Sequence, residues 1–263
     1  MKRILITGGP TNEYIDEVMK ITNMSSGKVA IELANYFGNS KDNVTLMLTK
    51  NIKNSILDDL VKKDNFKLIR FETTDELLKA IMKESKVQQY DLIIHSAAVA
   101  DYKPEFSFRM EDMAKEISKF VIDNATDIYE YYGIDEVYEE IIKILTHPNC
   151  KVNNNTKISS VEPNLTVKLG LTPKIIANLR EFFPDAFICG FKLLENVPEE
   201  ELIEAAMQQI QKCNTDVVFA NDLAELRKGD DSRLVITPDG YDNKKVYGAL
   251  GIYMYLQYLF LQA

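Results

Sequence analysis

The chain has 263 residues, enough for one large or two small domains, and its 46% hydrophobic and 27% charged residues exclude a disordered or fibrous protein. Its 31 basic and 40 acidic residues leave a formal charge of −9, which repels phosphate backbones and anionic lipid and argues against nucleic-acid and membrane partners. Cys150, Cys189 and Cys213 are odd in number, far apart and without CxxC spacing, against a disulfide framework or a zinc site and in keeping with reduced thiols in the cytoplasm.

In chain order, short β-branched runs alternate with helix-like segments, as they do where parallel strands are joined by crossover helices. Strands are predicted at Arg3–Ile6, Val44–Leu48, Lys67–Phe71, Leu92–His95, Ala186–Phe191 and Asp216–Phe219. Helices are predicted at Ser25–Phe37, Thr74–Glu84, Pro173–Phe182 and Pro198–Lys212, where apolar residues recur every three or four positions. The fold expected is a doubly wound, Rossmann-like α/β domain covering 1–263, with a mainly parallel sheet and helices on both faces.

Two regions break the alternation. Residues 103–156 form a long connection whose stretch Glu105–Cys150 carries eleven acidic against four basic residues and whose middle has helical periodicity. It reads as an inserted flap or lid. Residues 222–263 read as an edge hairpin around Leu234-Val235-Ile236 and Asp239-Gly240, followed by a packed helix in the apolar tract Tyr247–Leu261.

The candidate chemistry sits at strand ends and loops. Thr7-Gly8-Gly9-Pro10-Thr11 after the first strand is a glycine-bearing turn that lets backbone N–H groups approach a phosphate or ribose, although it lacks GxGxxG; the alternative reading is a purely structural turn. Ser25-Ser26-Gly27-Lys28 at a helix start is either an anion cradle or a serine cap with a close-packing glycine. Ala97-Ala98-Val99-Ala100-Asp101 leaves room for a ligand at the carboxyl edge of the fourth strand, with Asp101 as a ligand group or a helix cap, while His95 reads as a core histidine. Lys157, ending a polar connection, is suited to a triphosphate or is merely solvated. Phe191 is placed to stack on a base and Asn221 to hydrogen-bond one. No metal-ligand cluster is evident with only His95 and His147 in the chain.

Taken in order, TGGPTNEYID, KITNMSSGK, SAAVADYKP, KISS, LTPKII, GFKLL and VFANDL resemble the phosphopantothenoylcysteine synthetase (phosphopantothenate–cysteine ligase) family, and the KISS and FKLL forms look most like its stand-alone bacterial type. The resemblance covers most of the chain apart from the acidic insertion and roughly the last thirty residues. It implies a homodimeric enzyme of coenzyme A synthesis that activates 4'-phosphopantothenate with Mg²⁺ and CTP, or ATP, to an acyl-nucleotide, which the amine of cysteine then attacks. By the same resemblance, Asn23 and Lys157 are the catalytic pair, as acyl-carbonyl donor and flap lysine. Gly9, Ser25, Gly27, Asp101, Phe191 and Asn221 join Lys157 in nucleotide binding, and Ala97, Ala98 and Asp101 join Asn23 on the substrate.

Met19 stands where the family usually has a phosphate-binding arginine, so Lys20 is the candidate substitute. Ala30 stands where a glycine is common. Two rival readings follow from the sequence: a non-catalytic paralogue that binds nucleotide or acyl-phosphate, motivated by Met19 and the insertion, and a nicotinamide-dependent short-chain dehydrogenase. The latter's Tyr-x-x-x-Lys spacing occurs only at Tyr241–Lys245, in a turn-rich segment after the sixth strand.

Overall fold

A computed structural model describes residues 1–262, with side chains through Leu259; the end of the C-terminal apolar tract, Leu261 included, lies outside the described side chains. In chain order the elements are β1 (Arg3–Gly8), β2 (Asn12–Tyr14), β3 (Lys20–Thr22), α1 (Lys28–Gly38), β4 (Asn43–Thr49), α2 (Ser55–Leu60) and β5 (Phe66–Phe71). Next come α3 (Thr74–Val87), β6 (Leu92–His95), β7 (Tyr102–Arg109), α4 (Met110–Asp123), α5 (Ala125–Glu130), α6 (Ile134–Thr146) and β8 (Lys151–Val152). The remainder are β9 (Leu165–Leu171), α7 (Ile175–Phe182), β10 (Phe187–Leu194), α8 (Glu199–Cys213), β11 (Val217–Asp222), α9 (Leu223–Arg227), β12 (Ser232–Thr237), β13 (Gly240–Tyr247) and α10 (Gly248–Gln262).

The backbone divides into two compact units, one of Met1–Asn12, Thr22–Asp101 and Pro173 onward, the other of Glu13–Ile21 and Tyr102–Thr172. The first holds an eight-stranded sheet in the order β13-β12-β11-β10-β6-β1-β4-β5. β5, β4, β1, β6, β10 and β11 run parallel, and β12 and β13 are antiparallel additions. Side chains alternate across the sheet with period two. Ile4 and Ile6 of β1 pack with α1 and α10 on one face, and Leu5 packs with α3 and α7 on the other. Because both faces are covered, the central strands are apolar throughout, which is why they stand out in the sequence.

Helix α1 buries Ala30, Ile31, Leu33, Ala34 and Phe37. The Phe37 ring meets Tyr253 of α10 edge-on, with centroids 4.9 Å apart. Burial of such a ring contributes about 2–3 kcal/mol. Helix α3 starts where the Thr73 hydroxyl accepts the Glu76 N–H, with Asp75 and Glu76 favouring the positive end of the helix dipole.

In the second unit, β7 is flanked by β8 and β9 in an antiparallel sheet. Its inward Phe106 and Phe108, with Met113 of α4, form a small core that Ile117, Ile144 and Leu145 cover in part. The Glu116 carboxylate accepts the backbone N–H groups of Asn149 and Cys150 and ties down the chain after α6. The segment expected as an acidic flap with one helical stretch thus contains two strands, β7 and β8, and three helices.

Candidate functional site

In the sheet order, β1 lies between β4 and β6: the chain winds outward through β4 and β5, then returns to build β6, β10 and β11 on the other side. Ligands of open α/β sheets bind outside the carboxyl ends of the strands at such a reversal. Here the loops leaving β1 and β6 are bonded together, with Ala98 N–H donating to Gly9 O at 2.9 Å and Thr11 N–H to Ala98 O at 3.3 Å. Gly9 has φ +79°, and a Cβ there would lie 2.5 Å from Thr49 Oγ1. Glycine at this position is therefore required by the turn itself.

Helix α1 begins later than its serines suggest. Gly27, with φ +69°, is the N-cap and offers no side-chain cap, and no acidic residue occupies the first turn. The hydroxyls of Ser25 and Ser26 accept the Gly27 and Lys28 N–H groups at 3.4 Å. A Cβ on Gly27 would meet Leu48 Cδ1 at 3.0 Å and Gly9 N at 3.3 Å, so the glycine lets this segment settle against the β1 turn. The expected Ser25–Phe37 helix starts three residues late for that reason, and the serine-cap alternative gives way to a glycine cap.

From this helix start a cavity of about 350 Å³ extends along the carboxyl edge of the sheet. Its lining includes Ser25, Ser26, Gly27 and Lys28 at α1, Ser96, Ala97 and Ala98 after β6, Phe191, Lys192 and Leu193 on β10, and Asn221, Leu223, Leu226 and Arg233 beyond. The strand order makes this a progression from hydroxyls and a helix N-terminus to an apolar, aromatic end, across four strand spacings of roughly 4.8 Å each. Phe191 packs on Phe219 with centroids 5.5 Å apart while still lining the cavity. Six expected residues, Ser25, Gly27, Ala97, Ala98, Phe191 and Asn221, are brought together here. Lys192, Leu223, Leu226 and Arg233 were not anticipated.

Gly9, Asn23 and Asp101 are outside this lining. Asn23 Nδ2 donates to Ala98 O at 3.2 Å and Val99 O at 3.1 Å, so both amide protons hold the loop after β6. Asp101 is exposed, and Lys174 of the LTPKII motif donates to it at 2.7 Å. The His95 Nδ1 lies 2.8 Å from Thr7 Oγ1, and burial lowers its pKa to about 4, so it is a neutral core group.

Lys20 and Lys157 belong to the second unit. Lys20 lies over the Tyr14 ring, 5.9 Å from its centroid. Lys157 is exposed, and the next residue, Ile158, is anchored by its backbone: its N–H donates to Asp16 Oδ2 at 2.8 Å. Asp16 also accepts the Val18 and Met19 N–H groups at 2.7 and 2.6 Å. Those backbone bonds, Met19 foremost, and the nearby Lys157 charge hold its pKa below the usual carboxylate value. The carboxylate of the NEYID motif, passed over as a site residue, therefore organises the loop that bears Lys157. An opening of about 790 Å³ in this unit is lined by Asp16, Glu17 and Glu105, a poor environment for anions.

Among the described residues no three His, Cys, Asp or Glu side chains group as a metal would require. The 350 Å³ cavity offers hydroxyls, an amide and cations but no carboxylate in its lining. These donors do not by themselves fit a resident Mg²⁺, which prefers carboxylate and phosphate oxygens. Among the described residues no helix is long and apolar enough to cross a membrane. Tyr241 and Lys245, the dehydrogenase-like pair, lie on strand β13, where Lys245 is paired with Glu199 at 2.9 Å.

Residues 1–141 match the DNA/pantothenate metabolism flavoprotein C-terminal domain. The chain is 32% identical over 222 residues to the coenzyme A biosynthesis bifunctional protein CoaBC of Thermococcus kodakarensis, covering 84% of this chain and 41% of that one. To the CoaBC of Methanocaldococcus jannaschii it is 29% identical over 247 residues, covering 94% and 47%. The chain thus spans less than half the length of these two relatives. The crystal structure of the DNA/pantothenate metabolism flavoprotein from Streptococcus pneumoniae superposes with a TM-score of 0.72 at 25% identity, over 100% of this chain and 99% of that one. A Cab2 mutant in complex with phosphopantothenate-cysteine shares the fold, with a TM-score of 0.61 at 17% identity over 94% and 80%. With more than half its length matched by that domain, the chain belongs to the DNA/pantothenate metabolism flavoprotein C-terminal domain family.

Proposed function

We propose that the chain is a phosphopantothenate–cysteine ligase using a nucleoside triphosphate, CTP before ATP. The observation that carries this reading is the cavity along the carboxyl edge, with hydroxyls, Lys28 and a helix N-terminus at one end and Phe191, Leu223 and Asn221 at the other. That sequence of surfaces suits a polyphosphate followed by a base. The CoaBC relatives and the product-bound Cab2 fold neighbour support the substrate class.

In the reaction so read, a carboxylate oxygen of phosphopantothenate attacks the α-phosphorus and pyrophosphate leaves. The cysteine amine then adds to the acyl carbonyl, loses a proton and expels the nucleoside monophosphate. Both partners in the first step are anions, so cationic groups lower its barrier. Lys28, in the cavity wall, and Lys157, on its chemistry and the resemblance, serve that end. Magnesium enters with the triphosphate as part of the substrate and supplies further charge neutralisation.

The second step builds negative charge on the acyl oxygen, and an amide N–H placed there stabilises it. Asn23 fills this role by exchanging one of its bonds to Ala98 O or Val99 O for the substrate oxygen. Lys20 is assigned to the substrate phosphate in place of an arginine at Met19. A homodimer and a cytoplasmic location belong to the same reading.

The test is pyrophosphate release by the purified protein with phosphopantothenate, Mg²⁺ and CTP or ATP, with and without cysteine. Release that requires phosphopantothenate, with amide product only when cysteine is present, is the expected result. No release with either nucleotide would replace the ligase with a nucleotide-binding paralogue.

A further inference from the structure

Arg233 is 5% exposed, opens the apolar run of β12 and lines the cavity. The pairing of Ala220 with Leu234 puts it one step further along β12, in line with Asn221 on β11. Its Nη1 donates to Asp231 Oδ1 at 2.6 Å and to Asp231 O at 3.0 Å. Its Nε is buried with no hydrogen-bond partner among the described residues. A buried donor left unpaired is destabilising, and a residue serving only to hold Asp231 would not need a second donor edge inside the protein.

The two edges of this guanidinium have different environments. Asp231 balances the charge through Nη1, whereas Nε, which forms a planar two-donor fork with Nη2, has no protein acceptor among the described residues. Along the cavity, this fork lies at the end with Phe191, Leu223, Leu226 and Asn221, four strand spacings from the hydroxyls at α1. A charge-balanced fork beside an aromatic ring is better matched to a base edge than to a phosphate.

Building on the nucleotide-dependent reading above, we propose that Arg233 determines base specificity, its Nε–Nη2 edge donating to the adjacent acceptors O2 and N3 of cytosine. Adenine has no edge with two adjacent acceptors, and uracil carries a proton on N3. A two-point contact of this kind typically discriminates against the wrong base by roughly tenfold or more.

The experiment is equilibrium binding of CTP, UTP, 3-deaza-CTP and tripolyphosphate to the wild-type protein and to Arg233→Lys and Arg233→Met, with thermal melting to establish that each variant is folded. Wild-type protein is expected to bind CTP about tenfold more tightly than UTP or 3-deaza-CTP. Both variants should bring CTP and UTP to within about twofold of each other while leaving tripolyphosphate affinity unchanged. Equal wild-type binding of CTP, UTP and 3-deaza-CTP overturns the proposal without any variant, as does a parallel loss of CTP and tripolyphosphate affinity. These measurements need neither phosphopantothenate nor cysteine. Base discrimination without turnover would therefore defeat the ligase reading alone, and turnover without discrimination would defeat the role of Arg233 alone.

Discussion

Asp16 accepts the backbone N–H of Ile158 at 2.8 Å, joining two residues 142 positions apart in sequence within one compact unit. The same carboxylate holds the turn at Val18 and Met19, so one side chain fixes both the hairpin tip and the residue next to Lys157. Asp16→Ala should speed amide hydrogen exchange at residues 157–161 and lower turnover more than nucleotide affinity. Unchanged exchange there would show that the loop is held by other contacts.

The Asp16 bonds also have a pH signature. Its folded-state pKa is depressed below the ordinary 3.8, so its contribution is complete above that value and disappears as pH falls through the lower folded value. Exchange protection at Ile158 should accordingly persist at pH 5 and fall only in strong acid, whereas Asp16→Asn should remove that acid dependence.

His95 titrates in the opposite sense to a paired histidine. Burial lowers its pKa from 6.5 to about 4, so between those values the unfolded chain binds a proton that the folded chain does not. Stability should fall as pH drops from 6.5 towards 4, by an amount on the order of 3 kcal/mol if His95 acted alone. Thermal melts at pH 7 and pH 4.5 measure the slope, and a folded His95→Gln variant should flatten it.

Gly8 and Ala30 fit together as a pair of small residues. A Cβ on Gly8 would lie 2.1 Å from the Ala30 Cβ, between β1 and α1. Gly8→Ala should therefore destabilise the fold by about 3 kcal/mol, seen in the denaturant midpoint, and restoring the space with Ala30→Gly should recover much of the loss. Additive losses in the double variant would rule out this contact as the cause.

The Lys174–Asp101 ion pair is exposed on both sides, so its removal should cost less than about 1 kcal/mol. Lys174→Ala should instead change the affinity for the Mg²⁺-nucleotide if Asp101 serves the ligand. Isothermal titration of CTP with and without Mg²⁺ distinguishes the two effects.

The buried parallel strands were legible because β1, β4, β6 and β11 are runs of β-branched and aliphatic residues covered on both faces. Helix α2 and strand β7 were missed. The first has only six residues, and the second mixes Lys103, Pro104 and Glu105 with its two inward phenylalanines. At α1 the local preference of serine for a cap was overridden by contacts of Gly27 with Leu48 and the β1 turn, which only the folded chain creates. Ser25, Ala97, Ala98, Phe191 and Asn221 were readable because each flanks a predicted element at the carboxyl edge. Arg233 was hidden by its position: beside Leu234-Val235-Ile236 it reads as the polar start of a strand, and its unpaired Nε appears only once β12 is placed beside β11.

The two outer strands of the large sheet carry their own protection. On β13 Asp242, Asn243, Lys244 and Lys245 are exposed, and on β5 Lys67 and Arg70 point outward, with Arg70 bonded to the carbonyls of Thr49 and Ile52. Charged borders of this kind discourage a neighbouring chain from adding a strand. Growth of this sheet by edge-to-edge stacking, the usual route to β-rich aggregates, is thereby disfavoured, and self-association of the folded protein must draw on other surfaces.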